Sequence, residues 1–378
     1  MKIGVITIQK CNNYGADLQA FALQRKLQLM GYDAENIDYL FYKHPDFKKT
    51  PRSAPSFKLS IVNRIKECLL PKINALKSLW HREKAKQRSQ AFEAFFTQYV
   101  RTSKRYRTMD ELYADPPKYD VYVTGSDQVW NPRTGASVEP YFLTFAPKDS
   151  TKISYASSFG VSSLPPTAYY KYSKWLESYV AISMRESSGA RIARQFIGCA
   201  SPEVVCDPTL LLSAGEWSEV AKQLNGVDER KYLLVYDLSV CPGLWGLARR
   251  WAEVLKVPIV RICRNVGCDR QEGVVNIETA GPGEFVGLFK GAAAVVTTSF
   301  HGTAFSVIFN RPFYSVVPRG MTNSARISNL VDRLGISSRV VNESDCLEVE
   351  LSEEVNDYSE SLEKFRAQSV GYLRSAIG

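Results

Sequence analysis

The sequence predicts an α/β protein built of two doubly wound domains that face each other across a cleft, and three observations predict it. Strand-like apolar runs alternate with stretches of helical spacing along most of the chain, the pattern of parallel sheets covered by helices on both faces. A polar run from Asn225 to Arg230 separates two such series. At 378 residues and 45% hydrophobic, the chain exceeds one ordinary core and is too apolar to be disordered.

The elements follow in order. Lys2 to Thr7 is rich in β-formers, Asn12-Asn13-Tyr14-Gly15 carries turn chemistry, and Leu18, Phe21, Ala22, Arg25 and Leu29 keep helical spacing until Gly31. Ala34 to Asp38, Asp120 to Thr124, Lys152 to Ala156, Val180 to Met184 and Glu203 to Cys206 read as further strands, with helical spacing over Ala168 to Ser178. Ser213 to Glu216 fits a capping box for a helix through Trp217, Val220, Ala221 and Leu224, which Asn225-Gly226 ends. The second series places strands at Tyr232 to Leu238, Pro258 to Cys263, Val274 to Glu278, Ala293 to Thr298 and Phe313 to Val317. Leu362, Phe365, Val370, Leu373 and Ile377 fall on one side of a last helix that needs a surface to cover. The expected organisation is a first domain over 1–224 with a basic helical insertion at about 43–107, a second over 225–350, and a C-terminal helix over 351–378. Two facing Rossmann-like domains with a cleft between them are the architecture called GT-B.

The formal charge of +9 is concentrated: Lys43 to Arg107 holds 17 Lys and Arg against 4 Asp and Glu, and the remainder is slightly acidic. Within it Phe57, Leu59, Ile61, Val62, Ile65, Leu69 and Leu70 mix with Lys58, Arg64 and Lys66, and Lys72, Lys77, Arg82, Lys84, Lys86 and Arg88 follow. Two readings stay open, a solvated helical face whose apolar side covers the first domain, or peripheral contact with an anionic membrane. Pro71 favours two shorter helices over one. No nucleic-acid reading module accompanies the charge. Eight scattered cysteines without a C-x-x-C pair, and three histidines in all, argue against a zinc site and a disulfide framework. Cys199 and Cys206 read as small buried hydrophobes. Without an apolar run of about 18 residues or a leader pattern, the expected location is the cytoplasm, with the inner membrane face as the peripheral alternative.

Ligands of doubly wound sheets bind outside the carboxyl ends of the strands, here the turns after Thr7, Val123, Met184 and Thr298. In Thr298-Ser299-Phe300-His301-Gly302-Thr303 a strand runs into a helix whose first amides and dipole favour an anion, with His301 upon it; the other reading is an N-cap turn with Ser299 or Thr303 as cap. Arg185, at another strand end, offers a planar fork to phosphate or carboxylate, or else makes a surface ion pair. Gly125-Ser126-Asp127-Gln128 and Trp130 offer a carboxylate to take a hydroxyl proton, an amide, and a ring to stack on a pyranose; alternatively Ser126 or Asp127 caps a short helix. Asn13, Tyr14 and Gly15 suit a sugar acceptor, or a tight turn in which Gly15 adopts positive φ. No GxGxxG, Walker loop, GxSxG or metal triad occurs.

Taken in order and spacing, Asn13-Tyr14-Gly15-Ala16, Gly125-Ser126-Asp127-Gln128-Val129-Trp130, Tyr155-Ala156-Ser157-Ser158-Phe159-Gly160, Arg185-Glu186, Asp207-Pro208-Thr209 and Ser299-Phe300-His301-Gly302 resemble the polysaccharide pyruvyl transferase family from Lys2 to about Arg333. The resemblance implies phosphoenolpyruvate as donor substrate, no cofactor and no metal, and a sugar acceptor, with a lipid-diphosphate-linked oligosaccharide among the candidates. It implies that His301 and Arg185 hold the donor. The chemistry of ketal formation in addition assigns His301 as general acid and Asp127 as base, and with Arg185 in the first domain and His301 in the second, closure of the domains is expected to complete the site. Asp17 departs from the family pattern, which has an apolar residue there. A GT-B glycosyltransferase using a nucleotide sugar and a noncatalytic glycan- or lipid-binding protein are the alternatives.

Overall fold

The computed structural model describes residues 1–58, 81–196, 202–267, 269–319, 325–354 and 357–378. Cys199 and the part of the basic segment between 59 and 80, with Arg64, Lys66, Lys72 and Lys77, lie outside this set, as does Pro71. Among the described residues no helix is long and apolar enough to cross a membrane. Two compact units form, one from Met1–Ile73, Phe96–Leu211 and Phe365–Gly378, the other from Asn74–Phe95 and Leu212–Lys364.

In the first unit, β1 (Lys2–Ile6), β2 (Asp33–Tyr39), β3 (Thr102–Tyr106), β4 (Val121–Thr124) and β5 (Thr151–Ser154) make one sheet in the order β3-β2-β1-β4-β5. Every pairing is parallel. Central strands β1 and β4 are apolar without alternation because helices cover both of their faces. Helix α1 (Tyr14–Leu29) returns the chain from β1 to β2, and extended Asn13 caps it by accepting from the Ala16 amide at 3.2 Å. Short strands β6 (Ser183–Met184) and β7 (Glu203–Val204) pair with each other, and bridges Ile153–Ala181 and Ser157–Met184 tie β6 to β5 and the segment after it.

Helix α2 (Arg82–Tyr99) belongs to the second unit as far as Phe95. Arg88 is buried there and donates to the carbonyls of Cys263 and Arg264, while Lys84 pairs with Glu278 at 2.6 Å. These two residues therefore do not belong to a membrane-facing set, because their cations serve the unit's own loops. The basic helical insertion expected over about 43–107 also contains a strand: β3 lies inside that segment, an edge strand whose exposed Lys104 and Arg105 guard against further pairing. Helix α3 (Ala214–Ser218) carries the expected capping box, but its buried Trp217 packs edge-on against Phe305 at 4.9 Å. That contact draws the chain into the second unit at Leu212 rather than at 225.

The second sheet orders its strands β10-β9-β8-β11-β12-β13, all parallel, from β8 (Leu233–Tyr236), β9 (Ile259–Ile262), β10 (Val275–Ile277), β11 (Ala294–Thr297), β12 (Phe313–Val317) and β13 (Val340–Asn342). Helices α4 (Pro242–Leu255) and α5 (Phe300–Ile308) link β8 to β9 and β11 to β12. Winding reverses between β1 and β4 in one sheet and between β8 and β11 in the other, which are the switch points at which such sheets bind ligands. The expected last helix is α6 (Ser359–Ile377), and from Phe365 onward it belongs to the first unit rather than standing apart. Ser369 accepts from the Cys206 amide at 3.0 Å and Tyr372 donates to the Ser154 carbonyl at 2.8 Å, which ties the helix to the end of β5, while Phe365, Leu373 and Ile377 of the expected stripe are buried.

Candidate active site

The switch point of the first unit is a lattice of short hydroxyl contacts. Thr7, leaving β1, donates to the Ser126 carbonyl at 2.9 Å and accepts from the Gln19 amide at 2.9 Å. Ser157 donates to the Gly125 carbonyl at 2.9 Å, and the Ser126 hydroxyl lies 2.8 Å from the Ala156 carbonyl and 3.3 Å from Asp207. This lattice holds Asp127 at φ +68° and Ala156 at φ +50°, left-handed conformations that cost side-chain-bearing residues on the order of 1–3 kcal/mol and gather at functional sites. No helix follows Asp127, so neither it nor Ser126 is a cap.

Asp127 is fixed by Arg185, which leaves β6 with its side chain 1% exposed. Its Nη1 donates to Asp207 at 3.0 Å, its Nη2 to Asp127 at 3.5 Å, and its Nε lies 3.7 Å from Glu186. Burial alone would lower the guanidinium pKa, but Asp207, Asp127 and Glu186 together raise it. Asp207 is itself held by the amide and hydroxyl of Thr209, and Glu186 by Ser158 at 2.6 Å. Arg185 is thus neither a surface ion pair nor an open fork: each guanidinium nitrogen faces a protein carboxylate. Of the three carboxylates it meets, Asp127 is the most open, its side chain 19% exposed.

Several expected ligand contacts are part of the scaffold instead. Trp130 is fully buried, stacks on Phe142 at 5.0 Å and donates to the Tyr141 carbonyl, so no pyranose can reach its ring. Gly15 lies within α1 and does not adopt positive φ; Lys10 and Asn12 take the left-handed turn instead. Tyr14 is buried in the same helical turn. Exposed Asn13 and half-buried Gln128, whose amide oxygen accepts from Asn131 at 2.8 Å, stay at the surface of the site.

Sequence reasoning gave Asp17 no role, yet its position is unusual. It is fully buried in the first turn of α1, its Oδ2 has no hydrogen-bond partner, and the Cys11 thiol lies 4.0 Å from Oδ1. Burial, with a smaller push from Asp127, raises its pKa to about 8; the amides of Cys11 and Lys10 and the Lys10 ammonium oppose the rise only in part. Asp17 therefore keeps its proton at neutral pH, beside a second carboxyl at the same strand ends.

In the second unit, β11 runs through Thr297, which donates to the Tyr236 carbonyl at 2.6 Å and accepts from the Ser299 amide at 3.0 Å. Ser299 caps α5 by accepting from Gly302 at 3.3 Å. Thr303 is not the cap: its hydroxyl meets the Ser299 carbonyl at 3.1 Å and Ser315 at 2.6 Å. Ser299, Gly302 and Thr303 are thereby structural, while His301 sits in the first turn, its ring 5.2 Å from buried Phe300. A Cβ at Gly302 would approach that of Thr297 at 2.9 Å. Gly302→Ala is accordingly expected to lower stability by about 1–3 kcal/mol by prying α5 from β11; a melting temperature equal to wild type would contradict it.

Asp207, Glu186, Ser157, Ser158 and Asp17 are the residues whose part the sequence did not disclose. Asp207-Pro208-Thr209 carried a local signal, since aspartate two residues before threonine readily folds back on the backbone. Glu186, Ser157 and Ser158 act through partners far away in the chain.

Comparison with known proteins follows the same lines. No curated protein matches the sequence significantly. Among solved structures, the UDP-GlcNAc 2-epimerase from Methanocaldococcus jannaschii is similar with a TM-score of 0.52 at 12% identity, covering 98% of this chain and 100% of that one. The same organism's enzyme in complex with UDP-GlcNAc and UDP gives a TM-score of 0.51 at 12% identity, covering 98% and 100%. At this identity the likeness is one of fold, two Rossmann-like domains of the GT-B kind. A family model described as polysaccharide pyruvyl transferase matches residues 13–319, from the cap of α1 past the His301 turn. Most of the sequence lies within that match, and the chain belongs to the polysaccharide pyruvyl transferase family, a family of enzymes.

Proposed function

We propose that the protein transfers a pyruvyl group from phosphoenolpyruvate to two hydroxyls of one sugar in a polysaccharide or its precursor. A proton is added to the methylene carbon, making a methyl group, and a first hydroxyl oxygen bonds to C2. The bond from C2 to the phosphate oxygen breaks, and a second hydroxyl oxygen closes the ketal. Of the two hydroxyl protons, one balances the new methyl and the other leaves with phosphate. The observation that carries this reading is His301 in the first turn of α5, at the carboxyl end of β11. The dipole of that turn favours a phosphate, and an imidazole can hold it and deliver a proton. Asp127, positioned by Arg185, takes the acceptor's proton.

The test is phosphate release from phosphoenolpyruvate with a panel of sugar acceptors, lipid-diphosphate-linked oligosaccharides included, scored with the mass gain of the product. His301→Ala is expected to lower kcat/KM by at least about 100-fold, the scale of acid–base and anion-holding groups, with the melting temperature nearly unchanged. His301→Gln separates the roles, since it keeps a donor and loses the titrating proton; full activity in Gln would reduce His301 to a binding group. Consumption of a nucleotide sugar, with no phosphate release from phosphoenolpyruvate, would replace this reading by glycosyl transfer.

A further inference from the structure

The chain leaving β1 folds back over the first turn of α1, and Asp17 lies between the two. Lys10 and Asn12 take left-handed conformations at φ +51° and +55°, so the loop curls until the amides of Lys10 and Cys11 point at the Asp17 carboxyl. The Cys11 thiol lies 4.0 Å from its Oδ1, and Oδ2 is buried with no hydrogen-bond partner. The Lys10 ammonium is committed to Asp38 at 2.7 Å. A carboxylate sealed from water without a cation of its own is far costlier than the protonated acid, so such a group keeps its proton. Two residues on, the amide nitrogen of buried Gln19 lies 2.9 Å from the Ala16 carbonyl, 3.2 Å from the Ile8 carbonyl and 2.9 Å from the Thr7 hydroxyl. Thr7 donates in turn to the carbonyl of Ser126, the residue before Asp127. A chain of hydrogen bonds therefore links the first turn of α1 to the left-handed residue Asp127.

We propose that Asp17 is a positioning residue for Asp127: it fastens the loop from Lys10 to Asn12 onto the first turn of α1, and through Gln19, Thr7 and Ser126 that turn holds the segment on which Asp127 stands. The proposal rests on Asp127 serving the transfer reaction argued above. The fastening depends on the proton. Lys10 and Cys11 face Asp17 from its own loop, and Asp127 faces it from the end of β4. Cys11 in turn meets Lys43 and Tyr141, Lys10 meets Asp38 at the end of β2, and Asp127 meets Arg185. Lys10 and Arg185 already serve other carboxylates, and Asp127 repels a second negative charge, so an ionised Asp17 must be solvated. Asn12 and Asn13 are exposed and Lys10 and Cys11 half-buried, so water reaches Asp17 by lifting this loop rather than by entering the sheet. Lifting it loosens Gln19 and frees the turn at Asp127. Burial pushes the Asp17 pKa up to about 8, so the loop stays fastened at neutral pH and lifts above that value.

Hydrogen exchange of the full-length protein at pH 7 and pH 9, read by mass spectrometry and corrected for the base catalysis of exchange itself, follows the loop over 8–16 and the turn over 120–130 separately. In the wild type both stretches should lose about tenfold in protection between pH 7 and pH 9, because one decade above its pKa only about a tenth of Asp17 keeps its proton. Asp17→Asn keeps the shape and the neutrality, so both stretches should stay protected at pH 9. Asp17→Leu gives the Lys10 and Cys11 amides no acceptor, so both should be open at pH 7 already. The kcat/KM of transfer should follow the same pattern, falling about tenfold by pH 9 in the wild type, holding level in Asn and low at both pH values in Leu. Equal protection of wild type and Asp17→Asn at pH 9 would overturn the proposal, as would a loss confined to 8–16 with 120–130 unchanged. Absence of phosphate release from phosphoenolpyruvate at any pH would instead sink the transfer reaction and leave the exchange result to decide whether Asp17 holds Asp127.

Discussion

Arg185→Ala should lower stability by about 3–5 kcal/mol, the usual cost of removing one partner from a buried ionic cluster. The change strips the cation from Asp207, which is fully buried, and from Glu186 and Asp127, and leaves those carboxylates facing one another. Urea unfolding at pH 7 measures the loss; a change below about 1 kcal/mol would mean that water reaches and screens the cluster. Arg185→Lys separates charge from geometry. One ammonium cannot face Asp207, Asp127 and Glu186 at once, so Lys should recover part of the stability. Activity should still fall at least about tenfold, because Asp127 loses its orientation. Full activity in a folded Lys variant would show that Asp127 needs no such support.

Asp17→Asn should make the protein more stable at pH 8 and alter its stability little near pH 4. The sign follows from proton counting. With a folded pKa of about 8 against an ordinary value of 3.8, folded Asp17 holds a proton between those limits that the unfolded chain has released. Stability must therefore fall as pH rises through this window and level off above about 8, by about 1.4 kcal/mol for each decade of pH. Asn keeps the shape of the protonated carboxyl and carries no charge, so its advantage should grow across the window. Melting curves of both proteins from pH 4 to 9 decide it, and parallel profiles would mean that Asp17 is solvated or paired after folding.

The sequence was most informative where one segment determined its own structure. Both switch points could be read from Thr7, Val123 and Thr298, because an apolar strand followed by turn chemistry needs no distant partner. The edge strand β3 was obscured: Thr102, Ser103, Lys104 and Arg105 carry the polarity of a solvated helix, and only pairing with β2 makes them a strand. Trp130 looked like a sugar platform because it follows a strand end, but Phe142, Phe159 and Tyr179 close around it. Arg185 could be recognised as a cation at a strand end. That it faces inward depends on Asp207, 22 residues later, and Asp127, 58 residues earlier, and no local pattern announces partners at such distances.

The last turns of α6 impose an order on synthesis. Residues 365–378 complete the first unit, holding the Cys206 amide and the Ser154 carbonyl, although all of the second unit is translated before them. On the ribosome the first sheet must wait, with the end of β5 uncovered, while the later-made sheet has its own residues in hand up to Lys364. The N-terminal half is thus the last to be finished. A nascent chain stalled within α6 would expose its unfinished edge to chaperones and proteases.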